Sequence, residues 1–190
     1  MVTNRTITKV FDLLREAAPA WSAPVVTQMA TLSRDPYLVE KMLTLTAAQI
    51  EKAIYPVGFY KTKAQTVLDI SRALVEQYAG RVPDEIDELV KFKGVGRKTA
   101  NLVMTQGHQK LGICVDTHVH RISNRWGYVE TKAPDETEMA LRAKLPQQHW
   151  IEINDLLVAM GQTICHPTSP KCSLCPIEKY CAKIGVVRSR

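Results

Sequence analysis

Apolar residues recur along this chain at the three-to-four-residue spacing of helices, and no stretch alternates β-branched residues as a half-buried strand would. From Thr62 to Tyr78 the apolar Ala64, Val67, Leu68, Leu74 and Val75 share one face, which predicts an amphipathic helix that Gly80 ends. The same periodicity predicts helices over Thr6 to Ala17, Thr46 to Ile54, Asp84 to Lys91, Arg97 to Gln106, Thr117 to Trp126, Asp135 to Leu145 and Ile151 to Thr163. Thr46 followed three residues later by Gln49 reads as a capping box, and Pro134 suits a first helical turn. The predicted fold class is all-α. Beyond Thr163 the pattern decays into Pro167, Ser169, Pro170 and Pro176, which predicts a loop-rich end that something other than a core must organise.

That end holds Cys165, Cys172, Cys175 and Cys181, spaced C-x6-C-x2-C-x5-C. The span is too short and too rich in Pro and Lys to need four thiols for packing, so a metal centre is the economical explanation. No run of about eighteen apolar residues and no secretory pattern is present, which predicts an intracellular protein of the cytoplasm or nucleoid. A reducing compartment favours ligation over disulfides. Four thiolates suit either one tetrahedral zinc or a [4Fe-4S] cube, and a single C-x2-C knuckle flanked by wider gaps favours the bulkier cluster, zinc being the alternative. Cys114, in the apolar run Leu111 to Val115, reads as a small buried residue.

The 190 residues carry 25 Lys and Arg against 19 Asp and Glu, a net charge of +6. The placement matters more than the sum. Lys91, Lys93, Arg97 and Lys98 fall in one stretch with no acid, and Lys171, Lys179, Lys183, Arg188 and Arg190 surround only Glu178. Such clusters suit a polyanion such as nucleic acid, although scattered solvated lysines would give the same count.

Between two predicted helices lies Phe92-Lys-Gly-Val-Gly-Arg-Lys-Thr-Ala100. Gly94 and Gly96 around Val95 permit a tight helix-to-helix turn that leaves N–H donors at the start of the next helix, an anion site suited to a phosphate. Lys98, in the first turn of that helix, is not placed for stability, because the helix N-terminus repels cations. That positive end, partial burial and Arg97 beside it would lower the amine pKa and leave a fraction free as a nucleophile; a plain phosphate-contacting lysine is the alternative. In Val115-Asp-Thr-His-Val-His-Arg121, Asp116 stands at a predicted helix start, where an N-cap role competes with a chemical one, and His118 with His120 lack a carboxylate at metal-ligand spacing.

With these elements together the chain closely resembles the endonuclease III family of DNA glycosylases, within the helix-hairpin-helix superfamily. The residues that carry the resemblance are Gly94 to Asn101, Val115 to Arg121, the four-cysteine spacing and Pro56 to Ala64. It implies two helical subdomains, residues 23–116 with the hairpin and residues 1–22 plus 117–190 ending in a [4Fe-4S] loop. It also implies base excision repair of oxidised pyrimidines or abasic sites in double-stranded DNA. Lys98 would attack C1′ and form an imine, and Asp116 would stabilise the developing positive charge. Lys93, Gly94, Val95, Gly96, Arg97 and Thr99 would hold backbone phosphate, with Lys171 and Lys179 facing phosphate from the cysteine loop. Phe59 and His118 match wedge positions, although Phe59 would equally suit a core. A lysine at position 98 disfavours a monofunctional mismatch glycosylase.

Two departures stand out. Between Met29 and Leu45 the family's longer helical stretch is shortened, so that one helix is expected to be missing, and Gln28 precedes the landmark that would let it replace the lost polar side chain. The uncovered core would be filled by the N-terminus of a monomer or by a second subunit. This break keeps open a cluster-containing DNA-binding protein that has lost lesion recognition. Lys93 stands where the family usually has Pro.

Overall fold

The computed structural model describes residues 1–21 and 37–190, and every element in it is helical or a turn. The helices are α1 (Ile7–Ala17), α2 (Leu38–Leu43), α3 (Ala47–Ile54), α4 (Tyr60–Tyr78), α5 (Ile86–Leu89), α6 (Arg97–Leu102), α7 (Thr117–Arg125), α8 (Pro134–Lys144) and α9 (Glu152–Thr163). By packing, residues 37–100 form one unit and residues 1–21 with 101–190 the other. This boundary falls before position 116, because Ile113 and Val115 are buried in the larger unit's core. The shortened stretch after Met29, with Gln28, lies outside the described residues up to residue 36; its remainder is the short helix α2. No helix among the described residues is long and apolar enough to cross a membrane.

Among the described residues, the unit of 37–100 has the thinner core: Ile50, Ala64 and Leu68 are buried together, backed by the partly buried Met42, Leu43, Ala47 and Val67, with Leu74, Leu89, Phe92 and Ala100 buried besides. α2 and α3 pack against α4, whose face is the one periodicity predicts, except that Val75 is exposed. The capping box at Thr46 forms in full, with Gln49 N–H donating to Thr46 Oγ1 and Thr46 N–H donating to Gln49 Oε1. α4 ends where Ala79 and Gly80 take left-handed backbone angles. The helix expected over Asp84 to Lys91 shrinks to the four residues of α5.

The larger unit is built around Ile7, Phe11 and Leu14 of α1, Ile122 and Trp126 of and after α7, Leu141 of α8 and Leu157 and Met160 of α9, each almost fully buried. α9 packs on α7. α6 runs into a π-helical turn, Val103–Gly107, where the α-helical pattern was expected to continue to Gln106. Asn101, fully buried, ties that turn to the rest of the unit: its Oδ1 accepts from Ile113 N–H at 3.1 Å and from Arg142 Nη2 at 2.8 Å.

Candidate functional site

The hairpin of the smaller unit turns as its glycines predict. Val95 N–H donates to the Phe92 carbonyl at 3.0 Å, and Gly94 sits at φ +86 with the place of a Cβ only 2.9 Å from Thr66 Cγ2, so both backbone and space call for glycine there. α6 then begins at Arg97, and the N–H groups of its first turn have no acceptor within the helix. Lys93, Gly94, Gly96, Lys98 and Thr99 are exposed, while Val95 and Arg97 are half-buried. The partial burial expected of Lys98 is thus absent: the side chain leaves the first turn of a six-residue helix and is exposed. Phe59 sits on the same unit at the start of α4 with φ +58 and is 85% exposed. A ring so exposed contributes nothing to the core, which removes the alternative of a buried Phe59.

In the larger unit Asp116 is the N-cap of α7, its Oδ1 accepting from His118 and Val119 N–H at 2.8 Å each. The cap reading is therefore realised, and it holds the carboxylate in a fixed, half-buried place at the positive end of a nine-residue helix. His118 lies two residues along in the first turn, its Nδ1 3.1 Å from Arg121 Nη2, and its ring packs so closely on α9 that a Cβ at Gly161 would lie 2.2 Å from Nδ1. Only glycine at 161 lets α7 and α9 come together with that ring between them. His120 is occupied by Thr137 Oγ1 at 2.7 Å, a structural bond.

The four cysteines line a single cavity, walled also by Trp126, Met160 and Ile164 and edged by Lys171. Burial pushes the Cys175 thiol up to about 12 and raises Cys181 as well, each thiol's charge opposing its neighbours'. Among the described residues no three His, Cys, Asp or Glu side chains converge closely enough for a single metal ion. The thiols therefore surround a space rather than meet at a point, and Trp126 Nε1, buried in the wall with no protein partner, leaves a donor unused. The donor set fits a cationic core of several atoms with one thiolate at each corner. Lys171 is half-buried, and Lys179 is exposed with its amine over the Tyr180 ring.

Two features of this unit had no signal in the sequence. Arg125 reads as one more surface cation on α7, yet it is only 7% exposed and donates into the cysteine loop. Arg121 is half-buried, its Nη2 donating to the Cys165 carbonyl at 2.9 Å, and desolvation lowers its pKa. Cys114 is buried, as its apolar run predicts.

A family model described as HhH-GPD superfamily base excision DNA repair protein matches residues 2–147. The chain belongs to that superfamily. Among curated proteins it is 52% identical to the endonuclease III of Thermotoga maritima over 124 residues, 65% of this chain and 58% of that one. Among solved structures it is similar to a non-covalent endonuclease III–DNA complex, with a TM-score of 0.78 at 26% identity over 96% of this chain and 97% of that one. A trapped endonuclease III–DNA covalent intermediate aligns with a TM-score of 0.73 at 27% identity, over 96% and 97% of the two chains. Within the superfamily the chain thus falls with endonuclease III. It spans between 36% and 58% of the length of three curated relatives that it matches. The family match ends before the first of the four loop cysteines.

Proposed function

We propose that this protein is a base excision DNA glycosylase that also cleaves the strand at the resulting abasic site, acting on oxidised pyrimidines in double-stranded DNA. The observation that carries the reading is Lys98, exposed in the first turn of α6 directly after the Gly94–Gly96 hairpin. A primary amine so placed is a nucleophile beside an anion-holding turn. A likeness to an endonuclease III that was trapped as a covalent DNA intermediate supports the same chemistry.

The damaged nucleotide must leave the base stack to be reached, at a cost lowered by weakened pairing at a lesion. The hairpin donors, with Lys93, Arg97 and Thr99, hold the backbone phosphate, and Phe59, projecting from its unit, fills the vacated place in the duplex. Lys98 Nζ then bonds to C1′ as the bond to the base breaks and the base departs with the electron pair. Loss of the Nζ proton and opening of the sugar give an imine. Abstraction of a C2′ proton expels the 3′ phosphate by β-elimination, and water releases the lysine. Asp116, fixed by its two N–H bonds, supplies negative charge against the positive charge that develops on the sugar.

Cys165, Cys172, Cys175 and Cys181 would hold a [4Fe-4S] cluster, which ties down the loop that presents Lys171 and Lys179 to phosphate and takes no part in the chemistry. Iron and sulfide on analysis support this; one zinc per chain contradicts it. The activity is tested on a panel of duplexes carrying thymine glycol, an abasic site or a mismatch. Base release with a β-eliminated strand end is expected for the first, and strand cleavage for the second. Salt-dependent binding with no base release on any lesion would instead favour a DNA-binding protein that has lost lesion recognition, and release without cleavage would favour a monofunctional mismatch glycosylase.

A further inference from the structure

We infer that Arg125 is a positioning residue for the cysteine-bound group, a buried cation that bonds the Cys165 sulfur and stabilises the more reduced state of the cluster. The inference rests on the [4Fe-4S] reading above. Arg125 is the last residue of α7 and is 7% exposed. Its Nη1 donates to Cys165 Sγ at 3.2 Å and to the His166 carbonyl at 2.9 Å, and its Nη2 donates to the Pro167 carbonyl at 3.1 Å. Its own carbonyl accepts from Ile184 N–H at 3.0 Å and lies 3.6 Å from Cys181 Sγ. One residue therefore touches the chain at the first and the last of the four cysteines.

A guanidinium taken out of water this far is costly unless charge answers it. Among the described residues no carboxylate pairs with Arg125, and Glu178, on the same cavity, is bonded to Lys183 at 2.7 Å. The acceptors around Arg125 are two carbonyls and a sulfur, so the negative charge that suits it is that of a ligating thiolate. A bond from a cation to such a sulfur is charge-assisted. Net charge and hydrogen bonds to the sulfurs are among the factors that set the potential of an iron–sulfur cluster, and a buried positive charge favours the state with one more electron. The rigid planar fork holds its donors toward three spread acceptors in fixed directions, which the single compact ammonium of a lysine does not.

The test is a redox titration of the DNA-free holoprotein and of Arg125→Met and Arg125→Lys, after iron and sulfide have been measured in each. The expected result for Arg125→Met is a shift of about tenfold in the one-electron equilibrium toward the oxidised cluster, equivalent to about 59 mV in midpoint. Arg125→Lys should shift in the same direction by less. If Arg125→Met is isolated without iron, the decision rests on Arg125→Lys and on the unsubstituted protein labelled with ¹⁵N-arginine. In the latter, pulsed magnetic resonance of the paramagnetic cluster should detect a nitrogen coupling that Arg125→Lys removes. A midpoint unchanged in the cluster-bearing variants, or no arginine coupling, overturns the role of Arg125 and leaves the cluster standing. Absence of iron and sulfide from the unsubstituted protein overturns the cluster reading itself, and this inference with it.

Discussion

The two units of this protein differ in what holds them and in what they offer. Residues 1–21 with 101–190 surround an extended core of almost fully buried aliphatic and aromatic side chains, and they bury polar groups within paired networks such as Glu138–Arg142–Asn101. Residues 37–100 bury fewer apolar side chains among the described residues, and display Phe59, Lys93, Gly94 and Lys98 at the surface. The proposed nucleophile thus sits on the unit with the least apolar burial, while the proposed charge partner, Asp116, is fixed by a helix start in the unit with the most. A carboxylate meant to keep its charge and place benefits from a rigid cap.

Substitutions that separate role from support sharpen this contrast. Asp116→Asn keeps a side-chain oxygen able to cap α7, and Asn caps about as well as Asp, so unfolding should change by only a few tenths of a kcal/mol. Loss of the charge should lower single-turnover base release on the order of 10²–10³-fold with duplex binding retained. A parallel loss of stability would mean that Asp116 is a cap and nothing more.

In the larger core Leu157→Ala should cost about 2–5 kcal/mol in denaturant unfolding, and Leu68→Ala in the smaller core about 2 kcal/mol, the lower end of that range. Equal penalties would contradict the thin-core description. Gly94→Ala forces a side chain into a left-handed position and toward Thr66 Cγ2, and should cost about 1–2 kcal/mol together with weaker duplex binding. Phe59→Ala should leave stability within about 0.5 kcal/mol, since the ring is exposed, while lowering affinity for lesion duplex more than for intact duplex. Equal loss on both duplexes would argue against the wedge.

Much of this was legible in the chain. Helical periodicity marks α1, α3, α4 and α7 to α9 to within one or two residues, and the Thr46–Gln49 box, the Gly94–Gly96 turn and the shared cavity of the four cysteines follow from local chemistry. What was not legible depends on distant contacts. Arg125 looks like any surface cation until carbonyls some forty residues on are brought to it, and Gly161 looks like a weak point in α9 until the His118 ring is set against it. The π-turn at Val103–Gly107 keeps a helix-like apolar spacing and so escapes a period-based reading. Lys98 was expected to be partly buried from its place in sequence, but burial is a property of the folded surroundings, and the side chain is exposed.

The most direct test of the account is to reduce the protein with borohydride while it turns over a duplex containing thymine glycol, digest the product, and map the adduct by mass spectrometry. The account predicts that the mass of the opened sugar is found on the peptide containing Lys98, and that Lys98→Ala, which binds the duplex, forms no adduct. An adduct on another residue, or one formed equally well by Lys98→Ala, would contradict it.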